Sequence, residues 1–350
     1  MRSPDYQSLK LLEQLKKCHT ILRNLGRSEE RKDIYYAQRF KNLTTEPKYG
    51  QPDTRIKIAI IDNGADKLRS TIKNNIANGQ SFVTADSETG TRKLPWSMVA
   101  DPHGTQMASL IKKANPFCRL YIARVGRGHK DIAPENAAKV STSCHIFRQN
   151  NFLAYANIDF QAVEWAIEQE VDVISISWII KEHNEHLKNA IQDALNGSRK
   201  HHPILVFCST ADEGVYAGKS YPADYDGTVS VAATDKYGRI SKASQPGVDI
   251  LVPGEDVEAE GPSYMGKYIK ATVSGSSVAT ALASGIASLA LLLLRTFNNP
   301  DNRSLEEMSE KAGIMKVFAK MNSEINGIQL FDLFPEDDSE LPFAWKISNF

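Results

Sequence analysis

The apolar positions of this chain fall into two textures. Between residues 5 and 25, Leu11, Leu15, Cys18, Leu22 and Leu25 recur at steps of four and three. That spacing puts side chains on one face of a helix, and Gly26 stands where a C-terminal cap belongs. The stripe is too brief for a coiled coil, so the expectation is a helix docked on the domain that follows. Beyond residue 53 short apolar runs take over. RIKIAIID (55–62), LYIARV (120–125), DVISISW (172–178), ILVFCS (204–209) and TVSVAAT (228–234) read as buried strands. GTQMASLIKKA after residue 103, FQAVEWAIEQE before 171 and HLKNAIQDALNGSRK before 201 read as helices between them. This alternation predicts an α/β fold, a parallel sheet with helices on both faces, and places ligands beyond the carboxyl ends of the strands.

Late in the chain VSGSSVATALASG (273–285) runs into ASLALLLL, predicting a buried core helix from about 276 to 295. A further helix is expected over 300–318, opened by the capping box Ser304–Glu307. The segment 126–157 lacks clean periodicity and reads as an insertion or long loop, and the tail FPEDDSELPFAWKISNF reads as irregular. The organisation expected is an N-terminal helical extension (1–50), one main domain (51–298) and a C-terminal helix and tail (299–350).

Composition narrows the partners. The chain has 350 residues, 41% hydrophobic and 24% charged, enough for a substantial core. Lys plus Arg and Asp plus Glu are 42 each, so no net field draws it to nucleic acid or anionic membrane. The N-terminus lacks an uninterrupted apolar h-region, so no secretory signal is expected. Cys18, Cys118, Cys144 and Cys208 form no CxxC pair and read as reduced thiols of a cytoplasmic protein, with no cofactor expected.

The chemistry concentrates in three places. Asp62 ends the first strand in IAIIDNG, His103 opens a helix in DPHGTQMASLI, and Ser277 opens another in SGSSVATALASG. A serine hydroxyl needs a base to become a nucleophile, imidazole supplies one, and a carboxylate fixes its tautomer. Each residue alone has an ordinary reading: a turn after a strand, a helix boundary, small residues for close packing. His183 and His186 read as a solvated helix face, His201 and His202 as a loop, and GRG at 126–128 lacks the rest of a phosphate loop.

Together the segments DNG (62–64), HGTQMA (103–108) and GSSVA (275–279), in that order, resemble the subtilisin-like serine proteases (subtilases, peptidase family S8). VEWAIEQEVDVISIS, YPADYDGTVSVAAT and VDILVPGEDV extend the resemblance over roughly residues 53–296. It implies a subtilisin-like three-layer fold and a serine endopeptidase of an intracellular, fungal kind, acting on a peptide or protein substrate. Ser277 would attack, His103 would act as base then acid, Asp62 would orient it, and the Ser277 N–H would hold the oxyanion. Ser276 would be a locally hydrogen-bonded support. Ser177, Trp178 and Ile179 would align the substrate backbone, the bulk of Trp178 and Ile179 reshaping the pocket. Structural calcium is common in the family, with no site placed here.

The sequence departs from the family pattern. The oxyanion-hole Asn position falls on Asp212, in FCSTADEG; an ionised carboxylate there repels a forming oxyanion, whereas a protonated one donates. Ala281 replaces the usual proline. No recognisable propeptide is expected, and the N-terminal helix is a candidate intramolecular cap. The alternative is a catalytically impaired pseudoprotease, a peptide-binding or regulatory module. A buried Asp212 aimed at Ser277 would favour the enzyme, a solvent-facing one the module.

Overall fold

The sheet grows from runs in which successive residues face opposite helical layers. In the computed structural model, which describes residues 7–28, 34–48, 51, 53–84, 92–128, 161–197, 202–297 and 306–321, β1 (Lys57–Asp62) is buried from Ile58 onward. Ile58 and Ile60 enter one core, Ala59 and Ile61 the other. β2 (Ile76–Ser81), β3 (Arg119–Arg124), β4 (Val173–Ile176), β5 (Leu205–Ser209), β6 (Val229–Thr234) and β7 (Ile250–Pro253) complete a seven-stranded sheet of order β2-β3-β1-β4-β5-β6-β7. Its pairings are all parallel. A short antiparallel pair, β8 (Val257–Ala259) with β9 (Ala271–Val273), stands apart.

On one face lie α1 (Gln7–Leu25), α2 (Ile34–Thr44), α3 (His103–Ala114), α6 (Ser276–Phe297) and α7 (Lys311–Met321). The other face is covered by α4, residues 161–168, and α5 (Glu185–Asn196). The three-layer arrangement expected from the alternating pattern is therefore present. α5 shows how its ends are set: the Asn184 side chain accepts from Leu187 N, and Gly197 closes the helix in the left-handed region at φ 64°.

α6 is long and apolar enough to cross a membrane by composition, but 94% of its apolar window is buried within the protein, so it is a core helix. Its small residues admit α3 at close range. A Cβ on Gly285 would sit 2.5 Å from the Ala114 Cβ and 2.8 Å from the Ile111 carbonyl. Beside it, Asn115 Nδ2 donates to Ser288 Oγ at 2.9 Å. The packing reason for the small-residue run holds along the helix.

Three elements depart from the sequence expectations. β2, with the sequence IANGQS, is too polar to read as a strand; it forms because β3 leaves an edge to pair, and its side chains are largely accessible. β7 lies in VDILVPGEDV, where a proline hides a strand at the opposite edge. The expected C-terminal helix is interrupted: residues 306–308 are helical, 309–310 turn, and α7 runs from Lys311 to Met321; Ser304 of the expected capping box lies outside the described residues. So do Cys144, most of 126–157 and the tail from 334; Cys18, Cys118 and Cys208 are buried free thiols.

The docked helix at the N-terminus is seen, but not as a cap over the catalytic candidates. Leu11, Leu15, Cys18, Leu22 and Leu25 are all buried. His19 Nε2 meets the Ala114 carbonyl at 2.9 Å, at the far end of α3 from His103, about 16 Å along the helix at 1.5 Å per residue. α1 thus completes the core beneath α3. Leu15→Ala is expected to cost about 2–5 kcal/mol of unfolding free energy, measured by urea denaturation. A loss below about 1 kcal/mol would show that α1 lies outside the cooperative unit.

Candidate active site

The sheet's strand order reverses at β1, with β3 on one side and β4 on the other. Such a switch point opens a crevice at the carboxyl ends of the strands. Asp62 ends β1 there, Ser177 follows β4, Asp212 lies three residues past β5, and α6 begins with Ser276 and Ser277.

Asp62 is 1% exposed and accepts from Asn63 N at 2.7 Å. Its two oxygens lie 3.0 and 2.9 Å from His103 Nδ1. His103 is held from below by its own backbone, whose N–H donates to Asp101 Oδ1 at 2.9 Å. The approach of the two segments demands glycine at 104: a Cβ there would lie 2.2 Å from the Gly64 carbonyl and 2.7 Å from Asn63 Oδ1. Gly104 N instead donates to Asn63 Oδ1 at 2.9 Å, and Asn63 Nδ2 donates to the Asp101 carbonyl at 3.2 Å. Burial alone would lower the His103 pKa; the Asp62 charge and hydrogen bond, with the Asp101 charge, outweigh it and hold it above 6.5.

Asn63 and Asp101 brace the Asp62–His103 pair, a role the sequence reading assigned to neither. Both sat in segments read as a turn and a helix boundary, and the signal available was their adjacency to Asp62 and His103.

Ser277 is half-buried in the first turn of α6, where N–H groups have no intrahelical acceptor. Its hydroxyl donates to the Ser177 carbonyl at 3.0 Å, and Ser177 Oγ donates to the Ser277 carbonyl at 3.4 Å. The strand that was expected to align substrate is thereby tied directly to the nucleophile candidate. With its single proton on Ser177, the Ser277 hydroxyl must rotate to deliver it to an imidazole.

Ser276 has the local hydrogen bonds expected of it. Its Oγ donates to the Thr210 carbonyl at 2.6 Å, and its N–H lies 3.1 Å from both Asp212 oxygens. The residue before Ser277 is therefore fastened to the 210–212 segment, fixing Asp212 relative to the start of α6. The Asp212 side chain is exposed and does not point from a buried pocket. Protein on its inner side removes enough hydration to raise its pKa above 3.8, against the lowering effect of donation from Ser276.

Trp178 requires a correction. Its side chain was expected to reshape the substrate pocket, but it is 5% exposed in the core below, with Nε1 donating to the Ile61 carbonyl at 2.9 Å. An indole at a strand end finds more apolar area beneath the sheet than in the cleft, and Ile61 supplies its hydrogen-bond partner. Ile179 is half-buried, while Ile180 exchanges backbone hydrogen bonds with Tyr221 at 2.7 and 2.8 Å, closing the strand beyond it.

Away from the cleft, His183 Nε2 meets exposed Glu185 at 2.7 Å and its ring contacts Tyr221 and Tyr225. Among the described residues no three His, Cys, Asp or Glu side chains converge to hold a metal ion.

Comparison with known proteins places the chain in a family. The chain is 29% identical over 270 residues to an intracellular serine protease of Paenibacillus polymyxa, covering 75% of this chain and 73% of that protein. It is 26% identical over 280 residues to the major intracellular serine protease of Bacillus subtilis (strain 168), covering 78% and 76%. Among solved structures, a cold-adapted subtilisin-like serine proteinase matches with a TM-score of 0.55 at 17% identity, over 80% of this chain and 89% of that one. The prenylagaramide maturation protease PagA matches with a TM-score of 0.55 at 20% identity, over 89% and 98%. The model of the Subtilase family, Peptidase_S8, matches residues 53–322. This chain belongs to the subtilase family, peptidase family S8, a family of serine-type endopeptidases.

Proposed function

We propose that this subtilase hydrolyses peptide bonds through Ser277, His103 and Asp62, by way of an acyl-enzyme. The observation that carries the reading is the buried Asp62 carboxylate set 2.9 Å from His103 Nδ1 at the same crevice where Ser277 opens α6. Asp62 directs the imidazole so that its other nitrogen is the base. Ser277 Oγ gives its proton to that nitrogen as it attacks the scissile carbonyl, and the imidazolium then protonates the leaving amine. Water repeats the sequence to release the acyl group. The Ser277 N–H, at a helix start, stabilises the oxyanion, joined by Asp212 only when that residue is protonated. The backbone of 177–179 pairs with the extended substrate. An intracellular setting belongs to the same proposal, supported by relatives named intracellular serine proteases.

One observation favours a second reading, a catalytically impaired peptide-binding module. The Asp212 carboxylate accepts the Ser276 N–H and stands exposed, where a donor to the oxyanion is wanted. A fluorophosphonate serine-hydrolase probe separates the two. The first reading expects covalent labelling of the purified chain, mapped by peptide mass spectrometry to Ser277. Labelling at another residue, or none on folded protein, sinks it.

A further inference from the structure

A buried guanidinium sits at the carboxyl end of β3. Arg124 is 3% exposed, and its hydrogen bonds among the described residues run to backbone carbonyls. Nη1 donates to Pro95 at 2.7 Å and Met98 at 2.9 Å, Nε to Gly126 at 3.0 Å and Nη2 to Arg127 at 3.5 Å. Holding a cation against neutral dipoles in the interior is costly, and burial lowers its pKa. Arg124 is the register partner of Asp62 on the neighbouring strand. Alternation from Ile58, Ile60, Leu120 and Ile122 turns both toward the layer of α3.

The segment it grips is the lead-in to His103. Within 95–101, the Trp96 carbonyl accepts from Ala65 N at 3.0 Å. Val99 exchanges two hydrogen bonds with the Tyr264 hydroxyl, at 2.8 and 3.0 Å. Asp101 takes the His103 N–H and, through its carbonyl, the Asn63 amide. One side of the segment therefore faces Arg124 and Tyr264, and the other faces the 62–65 turn and the first residue of α3.

We propose that Arg124 and Tyr264 form a clamp that holds residues 95–101 against the 62–65 turn and so sets the Asp62–His103 geometry. Both are positioning residues, and the proposal rests on the reading of Asp62, His103 and Ser277 as the reacting groups. The fork shape matters. Arg reaches Gly126 from Nε while Nη1 spans Pro95 and Met98, whereas a lysine ammonium, a single point, cannot serve both sides.

The test uses the full chain with Arg124→Lys, Tyr264→Phe and, as a control, Arg295→Lys in the last turn of α6, where Arg295 pairs with Asp172 at the amino end of β4. Two quantities are read: the titration midpoint of His103 by NMR, assigned against His103→Gln, and the rate of fluorophosphonate labelling. Misplacement of a catalytic pair by a fraction of an ångström supports an expectation of about tenfold slower labelling in Arg124→Lys, with a smaller loss in Tyr264→Phe. The His103 midpoint moves down toward 6.5 in both, because looser contact with Asp62 weakens what raises it. The Arg295 control moves neither. Folded variants with an unmoved midpoint overturn the clamp, whether or not labelling slows. If Arg124→Lys does not fold, Tyr264→Phe, which removes one hydroxyl from a residue 51% exposed, decides alone by the same criterion. A wild type that is not labelled refutes the nucleophile reading, while the His103 midpoint still decides the clamp.

Discussion

Asp62→Asn is expected to lower kcat/KM by about 10⁴-fold with little change in fold. Asp62 is nearly inaccessible and presents both oxygens to His103 Nδ1. An amide in its place turns its N–H toward that nitrogen and selects the imidazole tautomer whose proton sits on the side facing serine. The base is then lost although the ring stays in position. The pH dependence has a definite sign. Because Asp62 opposes the lowering effect of burial, the acid limb of the wild-type profile lies above 6.5, and it moves to lower pH in the variant. A loss below tenfold, or an acid limb that does not move, would show that Asp62 has no part in orienting the base.

Asp212→Asn is expected to raise kcat/KM by about 10²–10³-fold near neutral pH, the value of one oxyanion-hole donor. The wild type carries two opposed requirements. His103 must be neutral, which needs a pH above its raised pKa, while Asp212 must be protonated to donate, which needs a pH below its own. Asp212 is raised above 3.8 by partial burial, but it remains open to water and accepts the Ser276 N–H, both of which favour the ionised form. Above both pKa values the donor fraction falls tenfold per pH unit with no compensating gain in base. The advantage of the Asn variant therefore grows as Asp212 ionises and levels off at the value of one donor, and the variant's own profile is flat on that side. Profiles measured on one peptide substrate from pH 5 to 9 decide it. A ratio near one, constant across pH, means that Asp212 is outside the oxyanion site.

Much of the site was legible because its parts lie in segments with strong local character. Asp62 closes a strand buried on both faces, and His103 and Ser277 each open a helix, so hydrophobic pattern and helix boundary marked the carboxyl-end crevice, while the resemblance of DNG, HGTQMA and GSSVA to the subtilases singled out the three residues and the support from Ser276. Trp178 was not. A strand end leaves the direction of its side chain open, and the Ile61 carbonyl that captures the indole lies on another strand. Arg124 was equally hidden, since an arginine inside LYIARV carries no local sign that its partners are carbonyls of a loop 26–29 residues away.

By itself the sequence determined the alternation of strands and helices, the amphipathic face of α1, the buried character of α6 and the identity of the three candidate reacting side chains. The elements follow from periodicity, which acts over a few residues; the three side chains follow from the resemblance of their ordered motifs to the subtilases. The tertiary structure decided where α1 docks, which polar edge segments join the sheet, and which group faces which within the crevice. It set Asp62 on His103, tied Ser277 to Ser177, and gave Asp212 the Ser276 amide. Those outcomes depend on distances between segments far apart in the chain, and a difference of one ångström separates a hydrogen bond from no interaction.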